Sequence, residues 1–162
     1  MKFAICNETF LDWPFDKAFD FAAECGYTGI EIAPFTMAGD AREVSAARRA
    51  EVRRQADTAG LQVVGLHWLL AKTTGFHLTT PDADVRRNTA AYVQDLARLC
   101  RDLGGSKMIF GSPVQRNVLP GVSPEQAMDH ARGVVDDCLS VLEETGVTLC
   151  IEPLGPAEGN FL

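Results

Sequence analysis

The chain has 162 residues, 46% hydrophobic and 23% charged, with a mean hydropathy of -0.01. That balance excludes both a disordered chain and a membrane-embedded one, and at this length folding buries roughly 70% of the unfolded surface, enough for a core without disulfides or a structural metal. Lys and Arg total 15 against 22 Asp and Glu, and the resulting charge of -7 repels phosphate backbones, so no nucleic acid partner is expected.

No run approaches the ~18 apolar residues of a membrane span, and the apolar stretch in MKFAICNETF is too short for a secretory signal, so no membrane partner and a cytoplasmic location are expected. The five cysteines form no CxxC and no Cys/His metal spacing. Each lies in an apolar segment, where a buried free thiol is expected.

KFAIC at the N-terminus reads as a first strand, over about Lys2 to Cys6. Pro14 suits a first helical position, and Phe15, Ala18, Phe19, Ala22 and Cys25 follow at helical spacing up to Gly26. A phrase then recurs: helix, glycine, short apolar run. It reads CGYTGIEIAPF, AGLQVVGLHW, LGGSKMIFGSP and TGVTLCIEPLG, with Gly26, Gly60, Gly104 and Gly146 where a left-handed residue closes a helix. The apolar runs predict strands over Gly29 to Ile32, Gln62 to His67, Lys107 to Phe110 and Thr148 to Glu152.

Between them lie further helices. One covers about Ser45 to Ala59, its RRAEVRRQ stretch forming a solvated face. Thr80-Pro81-Asp82 predicts an N-cap, a first-position proline and a first-turn acid for a long helix to Leu103. Ser123-Pro124-Glu125-Gln126 predicts a capping box opening a helix through Cys138 and Leu142.

Strand and helix thus alternate as in an α/β protein with a parallel sheet. Five units of about 32 residues extrapolate to eight units in about 260, close to the ~250 of a (β/α)8 barrel. No GxGxxG or GxxxxGK[ST] follows a strand, which leaves a nucleotide-binding doubly wound sheet without support. EPLGPAEGNFL runs into a loop without a covering helix, so a truncated or partial barrel of five βα units is expected, its strands parallel and in sequence order.

Strand parity selects the site. With Ile30 and Ile32, Val64 and Leu66, and Leu149 and Ile151 facing helices, Glu31, His67 and Glu152 point to one interior. A carboxylate at the inner end of a strand is costly unless paired or metal-bound, which favours a site role for Glu152. Glu31 has the alternative of a structural partner in the adjoining loop. His67 followed by Trp68 suits a ligand with polar edges and an apolar face, against the alternative of a satisfied core histidine. His77 and His130 read as exposed, Lys107 as structural, and parity does not decide whether Asn7 or Glu8 enters the rim.

At GYTGIEIAPF, GLQVVGLHWLLAKTTGFHLTT, KMIFGSP and TLCIEPLGPAEGNFL the chain resembles the sugar phosphate isomerase/epimerase family, the xylose isomerase-like TIM barrels, along essentially its whole length. Residues 1–162 are then one such domain, the N-terminal five strands. The resemblance implies a divalent metal (Mn, Mg or Co) bound by four late-strand ligands, of which only Glu152 has a counterpart here. It implies that Glu158 contacts the sugar's terminal oxygens and that His67 and Trp68 face substrate. The implied reaction is proton abstraction next to a carbonyl through an enediolate, on a small-molecule sugar or sugar phosphate in carbohydrate metabolism, with Glu152 as metal ligand and one acid/base. This chain alone is not expected to turn over substrate. Two alternatives are a metal-dependent endonuclease IV-like barrel and a non-catalytic partial barrel needing a partner chain or a homo-oligomer to cover its open edges.

Overall fold

The computed structural model describes residues 1–162. In chain order it contains β1 (Ala4–Cys6), α1 (Phe15–Glu24), β2 (Gly29–Ile32), α2 (Ala46–Thr58), β3 (Gln62–Leu66), α3 (Ala83–Asp102), β4 (Lys107–Phe110), α4 (Pro124–Asp136), α5 (Leu139–Thr145) and β5 (Thr148–Ile151). Every strand pair is parallel and the order is β1-β2-β3-β4-β5. Consecutive strands are neighbours, as in a barrel. A doubly wound sheet would reverse direction at a switch point. The fold is a partial α/β barrel.

The helix ends show local chemistry at work. Gly26, Gly60, Gly104 and Gly146 all have positive φ, as their places after helices require. Ser123 and Gln126 form the capping box: Gln126 N–H donates to Ser123 Oγ at 3.2 Å, and Ser123 N–H donates to Gln126 Oε1 at 2.9 Å. Two caps differ from expectation by register. Pro14 is the cap of α1 itself, with ψ 141, and does not occupy its first turn. Asp82 caps α3 in place of Thr80, its Oδ1 accepting from Asp84 and Val85 N–H, while Thr80 Oγ1 accepts from Asp82 N–H. The helix expected through Cys138 and Leu142 breaks at Asp137 and Cys138 into α4 and α5.

Parity holds on β2 and needs correction on β3 and β5. Ile30, Ile32 and Leu66 are fully buried, and in β3 it is Val63, not Val64, that packs outward beneath the helices. The cause is a register shift: Ile30 pairs with Val63, but Glu31 pairs with Gly65, leaving Val64 as the extra residue of a bulge. The bulge restores Leu66 to the helix face and His67 to the interior. On β5, Ile151 does not lie under a helix as expected; it is 41% exposed, and the segment 152–162 that follows it is irregular. Of the cysteines, all free, Cys100 and Cys138 are buried, Cys6 and Cys150 half-buried and Cys25 exposed beyond the end of α1, where no neighbouring element covers it. No helix is long and apolar enough to cross a membrane.

Candidate functional site

Three side chains from three strands meet at the C-terminal rim. Glu31 lies in β2, His67 follows β3, and Glu152 follows β5. His67 Nδ1 is 2.9 Å from Glu31 Oε2, and His67 Nε2 is 3.8 Å from Glu152 Oε2. The imidazole therefore lies between two carboxylates. The hydrogen bond to Glu31 outweighs the opposing effect of partial burial and raises the His67 pKa, with the negative charges of Glu31, Glu152 and Glu8 acting in the same direction. The pairing also orients the ring: Glu31 receives the Nδ1 proton, so Nε2 faces Glu152 and the open interior.

Backbone chemistry places Glu152. Gly111 follows β4, and a Cβ there would collide with Glu152 Oε2, so glycine leaves room for the carboxylate. Arg116, only 1% exposed, clasps the same strand ends: Nη1 donates to Phe110 O at 3.1 Å, and Nη2 donates to Glu152 O at 2.7 Å and to Leu162 O at 3.0 Å. Its Nε has no partner. Burial lowers the Arg116 pKa, and the Glu152 charge opposes that shift. A buried guanidinium satisfied mainly by carbonyls is expensive, and its cost here is offset by tying β4, β5 and the last residues together beside Glu152.

Arg116 and Gly111 are not among the residues that strand parity or motif selects. The only signals were a glycine directly after an apolar strand and a cation in a rim loop of an acidic chain. The choice between Asn7 and Glu8 is also settled by burial. Asn7 is 5% exposed, accepts from Ala33 N–H at 2.8 Å and donates to Thr36 Oγ1 at 2.9 Å, joining the segments after β1 and β2. Glu8 faces the rim cleft described below.

The other expected residues are placed as follows. Trp68 is 41% exposed and stacks beside His67, ring centroids 6.3 Å apart at 29°. Glu158 does not join the trio; it is exposed and its Oε2 accepts from Gly155 N–H at 3.2 Å in its own loop. His77 and His130 are half-buried, contrary to the exposure expected of them, because both pack against the segment before α3. His130 Nδ1 lies 3.0 Å from Thr79 O, His77 Nδ1 accepts from Thr79 N–H at 3.3 Å, and burial lowers the His77 pKa.

Glu31, His67 and Glu152 meet through the imidazole, and neither they nor any other group of three or more His, Cys, Asp or Glu side chains is arranged so that it could hold an ion. Hard divalent ions take about six ligands, so these residues do not close a metal site. Two of the four arginines of α2 are paired with acids: Arg48 with Glu51 and Arg49 with Asp102, both at 2.9 Å.

A parallel sheet in sequence order, with polar side chains converging at the strands' C-terminal ends, defines the class of α/β barrels that carry their chemistry on that rim. A profile of the xylose isomerase-like TIM barrel family matches residues 19–162, and this chain belongs to that family. No curated protein matches it significantly by sequence. Among solved structures, D-psicose 3-epimerase from Clostridium cellulolyticum H10 superposes with a TM-score of 0.82 at 19% identity, over 100% of this chain and 55% of that one. The 3-keto-D-glucoside 4-epimerase of E. coli superposes at 0.75 with 17% identity, over 96% and 57% of the two chains. An L-ribulose 3-epimerase does so at 0.75 with 16% identity, over 96% and 50%. The chain thus spans about half the length of the proteins it resembles.

Proposed function

We propose that residues 1–162 form the first five βα units of a barrel that isomerises or epimerises a sugar by moving a proton at the carbon beside its carbonyl. The observation that carries this reading is the Glu152 carboxylate, set at the inner C-terminal end of β5 by Gly111 and Arg116 and facing His67 Nε2. The epimerase activities named for the structural neighbours support the reaction class.

Each residue has a part. Glu152 takes or returns the proton, within reach of a sugar lying across the strand ends. His67, held by Glu31, presents Nε2–H to a substrate oxygen when protonated. Trp68 offers an aromatic face to the sugar's C–H surface. Glu158, released from Gly155 N–H, turns to the sugar's terminal oxygens. Glu152 would also be one ligand of a divalent ion (Mn, Mg or Co), which when bound polarises the carbonyl. The remaining ligands and the second acid/base would come from outside this chain.

Solvent deuterium exchange tests the reading. A complete barrel containing this segment, incubated with a ketose in D2O, is expected to incorporate deuterium at the carbon beside the carbonyl, and Glu152→Gln to abolish the exchange. Unchanged exchange in that variant overturns the role of Glu152. Calorimetric titration of Mn2+ into the 162-residue chain is expected to show weak binding or none; tight binding would mean that the ligand set has been misassigned.

A further inference from the structure

Beside the trio, a cleft of about 610 Å3 opens on the same rim, and its lining comes entirely from the segments after β1, β2, β3 and β4. The trio is not part of this lining. Trp68, which stacks on His67, joins the two regions. Four aromatic side chains, Trp13, Phe15, Phe35 and Trp68, line the space, and Lys72 Nζ sits 4.2 Å from the Phe35 ring centroid. Glu8 and Asp12 are the acids of the lining, so its ionisable groups carry one positive charge against two negative.

The backbone around this cleft is unusual. Leu11 (φ 50), Trp68 (φ 57), Lys72 (φ 60) and Ser112 (φ 25) all line it, and the only other non-glycine residue with positive φ is the terminal Leu162. Such conformations cost about 1–3 kcal/mol each and persist where surrounding contacts over-determine them, typically at ligand clamps. Here the contacts are visible for Ser112, which is 2% exposed and accepts from Leu70 N–H at 3.1 Å. Loops merely connecting strand to helix would not concentrate strain on one cavity wall.

We infer that this cleft is a subsite for a second sugar ring, and hence that the substrate is a neutral glycoside of at least two rings, not a free or phosphorylated monosaccharide. The inference rests on the reading of the trio as the reacting centre and adds the part of the substrate that does not react. Pockets of about 300–1,000 Å3 accommodate multi-ring ligands. Aromatic walls with polar groups at the margin match a pyranose, which presents C–H faces and hydroxyl edges. Charge decides against a phosphate. A dianion would meet Glu8 and Asp12 with only Lys72 in compensation, whereas neutral hydroxyls donate to both carboxylates and accept from the ammonium. A reacting ring over His67 and Glu152 would place its glycosidic substituent past Trp68 and into the cleft.

The chain has two tryptophans, and both line this cleft, so intrinsic fluorescence reads its occupancy without metal or turnover. The 162-residue chain is titrated with cellobiose, maltose and lactose, each of which keeps one reducing ring, and in parallel with glucose, fructose and their 6-phosphates. At least one disaccharide is expected to give a saturable change at about tenfold lower concentration than any single-ring sugar or phosphate, and Phe35→Ala to weaken it about tenfold with an unchanged circular dichroism spectrum. Disaccharide binding is read here by fluorescence without turnover, whereas the reading of the trio is tested by deuterium exchange in a complete barrel, so failure of one is distinguishable from failure of the other. Equal or tighter binding of a monosaccharide or a sugar phosphate overturns the inference. So does the absence of a saturable response to all three disaccharides.

Discussion

Ile30 and Ile32 in β2 and Leu66 in β3 are fully buried, whereas Leu149 on β5 is half-buried and Ile151, on the same helix-facing parity, is 41% exposed. The apolar alternation is the same in both regions. What differs is cover: α1, α2 and α3 pack over the middle strands, and only turns follow β5. Strand pattern says which face of a sheet is apolar, while the neighbours decide what burying it is worth. Glu152 belongs to the poorly covered region. Beside it the buried Arg116 guanidinium holds the Glu152 backbone carbonyl, and Gly111 leaves room for the carboxylate.

The sharpest test of this contrast is a pair of truncations. Leu66→Ala is expected to destabilise the chain by about 3–4 kcal/mol, the cost of an unfilled cavity in a packed core, read as a fall in the urea midpoint at constant slope. Ile151→Ala is expected to cost under about 1 kcal/mol, since much of that side chain is already in water. Similar losses at the two positions would break the comparison.

Arg116 comes next in size. Arg116→Met fills similar space but strands three carbonyls, at Phe110, Glu152 and Leu162, and is expected to cost about 2–3 kcal/mol. Amide hydrogen exchange distinguishes a local from a general effect: protection is expected to fall first at Glu152 and Leu154 N–H, while the β2–β3 amides keep theirs. Uniform loss of protection would mean that the guanidinium supports the whole domain.

The smallest effect is electrostatic. The His67 pKa is raised in the folded chain, so the Glu31–His67 pair contributes its full stability below the unfolded value of about 6.5 and loses it as pH rises through the raised folded value. Glu31→Gln is therefore expected to lower the His67 pKa, measured by the pH dependence of its imidazole NMR signals. The stability gap between variant and wild type is expected to be widest at about pH 6 and to close at alkaline pH. A gap independent of pH would place the contribution of Glu31 in packing alone.

Local patterns in the sequence carry the strand–helix alternation, the glycines that end α1, α2, α3 and α5, the capping box of α4, and the inward parity of Glu31 and Glu152. All of these follow from chemistry local to a turn or from a period of two along a strand. The rest is set by contacts between segments distant in sequence. The bulge at Val64, which turns His67 inward, depends on how β3 pairs with β2, and the overlap that a side chain at position 111 would have with the present Glu152 carboxylate depends on a residue 41 positions away. The burial of Arg116 depends on carbonyls from three separate segments, and the rim cleft exists because four loops distant in sequence end at one edge of the sheet. Sequence periodicity reports the direction in which a side chain leaves its own backbone. It carries no information about which other backbone will be there to meet it.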